Sequence, residues 1–237
     1  MANLNIEIVN LNFNFSDQRI FENLNITFKR NRVTAILGPS GCGKTTLLNL
    51  ISGIILPLSG SIEIPENIKY SHVFQESRLL SWKNVEDNIK FVLKSLNKED
   101  VNFRINHYLS EMELLDFKKY YPFQLSGGMK QRVSIARAFA YPSNTIIMDE
   151  PFKGLDPSLK SSLIKLFNKV WREDERTAIF VTHDINEALM MGDDIMVLSK
   201  SPNKIIETIT NPLPWSERDL NRNEIISIEK KLYKLLI

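Results

Sequence analysis

GPSGCGKTT, Gly38 to Thr46, follows the apolar run VTAIL and matches G-x-x-x-x-G-K-[ST] at Gly38, Gly43, Lys44 and Thr45. Glycines let the backbone curl until several N–H groups converge on an anion, and the start of a following helix adds the positive end of its dipole. Such a loop, completed by Pro39, Ser40, Gly41, Cys42 and Thr46, cradles nucleotide phosphates. Lys44 would reach the β- and γ-phosphates, and the Thr45 hydroxyl would ligate Mg2+. The plainer alternative is a glycine-rich turn between strand and helix. Cys42 lies where a small side chain fits and is given no redox role.

A second apolar run, TIIM, delivers Asp149 and Glu150 to a strand's carboxyl end, the edge of an open α/β sheet where ligands bind. There an aspartate can hold the Mg2+ shell, and the next carboxylate can polarise an attacking water. An acidic pair after a strand is often only a solvated strand end, and it is the phosphate loop in the same chain that favours chemistry. His183 closes the run TAIFVT and could point at the same edge, or simply cap the strand. His72 and His107 read as ordinary residues, and the three histidines lack metal-ligand spacing.

The third feature is LSGGMKQR, Leu125 to Arg132. Ser126, Gly127 and Gly128 open a helix whose Val133, Ala136 and Ala140 can pack inward, leaving N–H groups and a hydroxyl facing outward. This is a second anion site, or a serine N-cap followed by glycine. Two adjacent glycines weaken a helix start unless something must approach closely.

These residues need a scaffold. IEIVNLNF and NITF alternate apolar and polar residues, as strands of a half-exposed sheet do, around a turn-like FSDQ. VTAILG, TIIMDE and TAIFVTH read as strands buried on both faces, and IKYSHVFQ, Ile68 to Gln75, as another strand. A helix should run from Lys44 to about Ser52, and LKSSLIKLFNKVW is helical. Between Asn84 and about Tyr121 the texture turns charged and helical, as in an inserted lobe. The tail spaces Ile228, Leu232 and Leu235 along one helical face. The expected fold is α/β: a P-loop NTPase core with a mostly parallel sheet, an N-terminal antiparallel β part and an inserted helical subdomain. The expected organisation is a single domain over 1–237, with its core at about 1–83 and 144–237 and the insert at about 84–143.

Composition narrows the class. The chain has 237 residues and a formal charge of +2, and carries no run of like charges that would bind nucleic acid. A single cysteine forms no internal disulfide, and the N-terminus lacks a basic start and an apolar signal core, so a reducing cytoplasm is expected. The most apolar stretch, LLNLISGIILPL, is interrupted by Asn49, Ser52, Gly53 and Pro57 and is too short to span a bilayer. Work at a membrane would need another anchor.

GPSGCGKTT, Gln75, LSGGMKQR, IIMDEP, GLD and His183 stand in an order that resembles ATP-binding cassette (ABC) transporter ATPases, over nearly the whole chain. The resemblance implies a dimer in which each ATP lies between the phosphate loop of one copy and the LSGG helix start of the other. It implies that Phe15 stacks on adenine, where the family commonly has tyrosine; a buried strand-end aromatic is the other reading. It further implies that Gln75 senses the γ-phosphate and Mg2+, Asp149 holds the metal shell, Glu150 is the general base, His183 contacts the γ-phosphate and Asp156 sits at the dimer interface. Lys153 and Gly154 depart from the small residue and alanine usual before LD, and Met129 replaces the commonest glutamine after LSGG.

VFQESRLLSWKNVEDNI, VTHDINEAL, LSKSPNKI and PLPW are similar to importers of nitrate, aliphatic sulfonates and taurine. That branch implies that this chain sits peripherally at the cytoplasmic face of the cell membrane, with a transmembrane permease as partner, docking near Gln75 to Trp82, and a solute-binding protein acting through that permease. Leu79, Leu80 and Trp82 would form an apolar socket there, or pack against the helical lobe. Two rival readings are a small GTPase, suggested by NKED at Asn97 to Asp100 but lacking any D-x-x-G, and a non-transport ABC ATPase acting on DNA or ribosomes. The latter usually carries a long coiled-coil insertion or two cassettes.

Overall fold

The computed structural model describes residues 5–16, 18–174, 176–200 and 203–236. In chain order the strands and helices are β1 (Ile6–Phe15), β2 (Gln18–Phe28), β3 (Val33–Leu37), α1 (Lys44–Ile51), β4 (Ser59–Glu63), β5 (Tyr70–Val73) and α2 (Val85–Lys90). There follow α3 (Lys98–Glu111), α4 (Gly127–Ala140), β6 (Thr145–Asp149), α5 (Pro157–Asp174), β7 (Thr177–Thr182), α6 (Ile185–Met191), β8 (Asp194–Leu198), β9 (Ile205–Thr210) and α7 (Asn223–Leu236). The fold is α/β, with an antiparallel sheet and a mixed, mostly parallel one. The chain forms two compact units, Met1–Ile68 with Glu175–Ile237, and Lys69–Asp174.

In the first unit, β1 pairs antiparallel with both β2 and β4. Its alternation buries Ile6, Ile8, Leu11 and Phe13 on one face. Both ladders shift register near Asn10, and Asn10 and Asn23 take left-handed φ values of 49° and 48°. Side-chain amides make good the interrupted ladder: Asn10 N–H donates to Asn25 Oδ1 and Asn23 N–H to Asn12 Oδ1, both at 2.9 Å. That is the physical use of Asn12 and Asn25.

The second sheet of this unit has β3 at its centre, parallel to β7 on one side and β8 on the other, with β9 antiparallel on β8. Every residue of β3, β7 and β8 is buried, which accounts for their mostly apolar character. Buried Asp193 ties the segment after β9 to this sheet, accepting from Val33 N–H at 2.9 Å, Trp215 Nε1 at 2.6 Å and Arg218 Nη2 at 2.7 Å. α7 closes the unit by burying Ile225, Ile228 and Leu232, while Leu235 is half-buried.

In the second unit β5 and β6 pair in parallel, with Val73 opposite Met148. The helices share an aromatic core in which the Phe139 ring lies 5.5 Å from Phe167 and 6.1 Å from Tyr108. Asn84 and Asn97 cap α2 and α3 by accepting from the Asp87 and Asp100 N–H groups. Fully buried Asn88 holds the loop before α2, bonding Leu80 at both backbone groups and the carbonyls of Lys83 and Asn84. β4, α6, β8 and β9 lie outside the strands and helices read from sequence: β4 is short and exposed, and β8 and β9 follow no clean alternation. β5 is shorter than the run from Ile68 to Gln75 suggests, because the chain leaves the ladder at Phe74.

Candidate nucleotide site

The loop from Gly38 to Gly43 joins β3 to α1. A Cβ on Gly38 would stand 2.7 Å from the Leu198 carbonyl oxygen and 2.8 Å from Cys42 Sγ, so the chain can pass β8 there only as glycine. Gly43 has φ +86°, and a Cβ would meet Ile20 Cγ2 and Phe21 Cζ, each at 2.9 Å. No side chain caps α1, so its first N–H groups are left to the loop's own concavity. Lys44, 6% exposed, folds back over this concavity, donating to the carbonyls of Gly38 at 2.8 Å and Pro39 at 2.9 Å. A buried ammonium on two neutral acceptors, beside uncapped N–H groups, is a site built for an anion. Ser40, Gly41 and Thr45 are exposed, Pro39 and Thr46 half-buried. Cys42 is fully buried; burial pushes its thiol pKa up, against the opposing pull of Lys44.

The parallel register pairs Leu37 with Thr182, so the residues after them, Gly38 and His183, leave the sheet at one edge. His183 is exposed. Its turn is pinned from both sides: Thr182 Oγ1 donates to Glu187 Oε2 at 2.6 Å and accepts from Asp184 N–H at 3.0 Å, while Asp184 caps α6. Phe15, at the end of β1, is 52% exposed and meets Phe13 edge-on at 4.9 Å. It is therefore an exposed aromatic face, not the buried strand-end residue that was the alternative.

In the second unit the register Val73 opposite Met148 carries Gln75 and the Asp149–Glu150 pair off the same end of the β5–β6 ladder. Gln75 is exposed and both carboxylates are half-buried. Glu150 has a left-handed φ of 43°, a conformation that L residues seldom take and that clusters at functional turns. Its turn is anchored by buried Gln131 of α4, whose Nε2 donates to the Pro151 carbonyl at 2.5 Å. Lys153 Nζ lies 2.6 Å from Glu150 Oε2, a contact that the sequence spacing alone did not single out.

Ser126 caps α4, accepting from Met129 N–H at 3.3 Å. The two glycines behind it differ. A Cβ on Gly128 would strike Leu159 Cδ2 at 2.5 Å, so that glycine serves the packing of α5. A Cβ on Gly127 would meet nothing within 4 Å among the described residues, so internal packing does not require glycine there. Asp156 is exposed and caps α5 through Leu159 N–H at 3.0 Å.

The same unit carries a groove of about 450 Å³ whose walls include His72, Phe74, Leu80, Phe91 and Arg137. Arg137, reaching from α4, donates to the carbonyls of Arg78 at 3.0 Å and Ser77 at 2.9 Å and so shapes the chain after Gln75. Burial lowers the pKa of His72, with Arg78 adding to the effect. Leu80 lines the groove, Leu79 is half-buried and Trp82 is 72% exposed.

Among the described residues no three His, Cys, Asp or Glu side chains cluster to hold a metal ion, and no helix is long and apolar enough to cross a membrane. Thr45, Gln75 and Asp149 offer hard oxygen donors, the kind Mg2+ takes when most of its shell is water and phosphate.

A family model described as ABC transporter matches residues 21–153. The chain is similar to the aliphatic sulfonates import ATP-binding protein SsuB of Bacillus cereus, 39% identical over 90% of this chain and 87% of that protein. It is also similar to the taurine import ATP-binding protein TauB of Ruegeria pomeroyi, 34% identical over 93% of this chain and 86% of that one. A solved dimeric ATP-binding cassette in a post-hydrolysis state, bound to ADP and Pi, superposes with a TM-score of 0.73 at 28% identity, covering 86% of this chain and 98% of its own. With the family model covering more than half its length and relatives matching almost all of it, this chain belongs to the ABC transporter family.

Proposed function

We propose that this chain is the ATP-hydrolysing subunit of an importer, driving a permease for nitrate, a sulfonate, taurine or a related small solute. The observation that carries the reading is the buried Lys44 ammonium, folded over an uncapped helix start inside a loop where a Cβ on Gly38 or Gly43 would collide with its neighbours. The curated relatives are import subunits for sulfonate-type solutes, which supports that solute class.

In this reading the N–H groups of Gly38 to Thr46 and the Lys44 ammonium bind the phosphates, and Phe15 stacks on the base. Thr45, Gln75 and Asp149 would hold Mg2+, which when bound neutralises charge on the phosphate oxygens. Glu150 accepts a proton from the attacking water, while His183 and Gln75 contact the γ-phosphate and steady it. Two copies close around ATP, with Ser126, Gly127 and Gly128 of one copy gripping the nucleotide held by the other and Asp156 at the interface; a similar cassette that is dimeric with ADP and Pi bound supports the pairing of two copies. Residues 84–143 act as the inserted helical subdomain. The permease docks at the groove beside Leu79, Leu80 and Trp82, at the cytoplasmic face of the membrane, and a solute-binding protein delivers solute through it.

The test is a pair of variants. Lys44→Ala should weaken binding of a fluorescent ATP analogue by about ten-fold or more, since a charged hydrogen-bonding contact is lost. Glu150→Gln should bind ATP, stop turnover and accumulate as a dimer in size-exclusion chromatography. Hydrolysis by Glu150→Gln at the unmodified rate would remove the base assignment.

A further inference from the structure

Tyr70 and His72 leave β5 two residues apart, on one face of the strand, and both line the groove of about 450 Å³ in the second unit. That volume is the size of a small-molecule site, and Phe74, Leu80 and Phe91 make much of its wall apolar. Its polar groups are left over from folding. The Tyr70 hydroxyl is buried and has no hydrogen-bond partner among the described residues. Burial pushes its pKa up to about 12, so it keeps its proton and stays a donor. The Arg78 guanidinium lies over the Phe74 ring, 4.0 Å from its centroid, and makes no ion pair among the described residues. Arg137 spends its donors on two backbone carbonyls, which leave its charge uncompensated. Among the described residues the walls hold two arginines and no Asp or Glu.

A buried hydroxyl without a partner is costly, and a fold that keeps one beside an open groove leaves the acceptor to be supplied from outside. Two positive charges without a carboxylate select an acceptor that is negative, and the apolar wall strengthens the attraction by keeping water away. We propose that this groove binds a small organic anion, a carboxylate or sulfonate on an aromatic or alkyl body. The body packs against Phe74, Leu80 and Phe91, and the anionic group accepts from the Arg78 guanidinium and the Tyr70 hydroxyl. None of this depends on the nucleotide chemistry. An occupant would share Leu80 with the permease segment proposed to dock beside it, and so would compete with docking.

The test titrates the full chain with phenylbutyrate, followed by ligand-observed NMR, beside the uncharged phenylbutyramide and inorganic sulfate. Phenylbutyrate should saturate with a Kd on the order of 1 mM, ordinary for a fragment of this size. The amide and sulfate should each bind about ten-fold more weakly or worse, since one lacks the charge and the other the body. Arg78→Gln should weaken phenylbutyrate about ten-fold and leave the amide unchanged. Tyr70→Phe removes only the unbonded oxygen, so it should weaken phenylbutyrate while the urea midpoint stays level or rises; a tyrosine that is merely structural would lower the midpoint instead. Absence of saturable phenylbutyrate binding overturns the site. Equal affinity for acid and amide does so too, as does an affinity that neither variant changes. Loss of the fold in Tyr70→Phe removes the hydroxyl from the site, and unchanged binding in Arg78→Gln then overturns the rest. A fluorescein-labelled amphipathic peptide of leucine and glutamate that binds where phenylbutyrate does not would assign the groove to a protein segment and refute the small ligand.

Discussion

Leu37 and Thr182 stand opposite each other in neighbouring parallel strands, so Gly38, which opens the phosphate loop, and His183 leave the sheet at the same level. The turn under His183 is held by Thr182, Asp184 and Glu187 whatever the imidazole does.

His183→Ala should therefore keep the fold and bind ATP within about three-fold of the unmodified chain. It should lose about ten- to a hundred-fold in kcat, the scale of one charge-assisted hydrogen bond to a transition state. Steady-state kinetics beside an equilibrium binding titration check this; equal losses in binding and kcat would assign His183 to ground-state binding instead.

The two glycines after Ser126 should separate packing from function. Gly128→Ala drives a methyl group into Leu159 and should cost about 1–3 kcal/mol in urea unfolding, the usual size of an overpacking penalty. Gly127→Ala meets no such obstacle and should leave stability within about 1 kcal/mol. ATP-dependent dimer formation in the Glu150→Gln background should nonetheless weaken for Gly127→Ala, read by analytical ultracentrifugation.

Asp194 gives a pH-dependent stability term with a definite sign. Burial alone would raise its pKa, but hydrogen bonds from Arg32 and Thr210 and the charges of Arg32 and Lys29 outweigh it, leaving the carboxyl below its ordinary value. Arg32 donates at 2.8 Å and 3.1 Å and Thr210 at 2.7 Å. A depressed carboxylate stabilises the fold above its unfolded pKa of about 4, and that contribution disappears as pH falls through the lower folded value. Asp194→Asn should cost about 1.5–3 kcal/mol at pH 7, the range for hydrogen bonds to a charged group. The gap between variant and unmodified chain, followed by urea midpoints, should narrow as pH drops below about 4.

The chemistry was legible in the sequence because it depends on local order. A phosphate loop needs glycines and a lysine at set spacings beside a buried strand, so GPSGCGKTT announces itself. The runs VTAIL, TIIM and TAIFVT are largely apolar because each is covered on both faces. β4, β8 and β9 were harder to read, since edge strands and short strands owe their form to the neighbours they pair with.

By itself the sequence determined the anion-binding loop, the carboxylate pair, the capped glycine turn and the alternation of buried strands with helices, all of which follow from residue type and spacing along the chain. Only the tertiary structure decided that Gly128 serves Leu159 while Gly127 is free of internal packing, that Phe15 is exposed, and that Lys153 closes on Glu150. Those outcomes depend on which side chain from a distant element arrives at a given surface, and on how a left-handed turn aims a carboxylate. Neither is encoded in local spacing, because both are set by packing between segments far apart in the chain or by a backbone conformation that packing sustains.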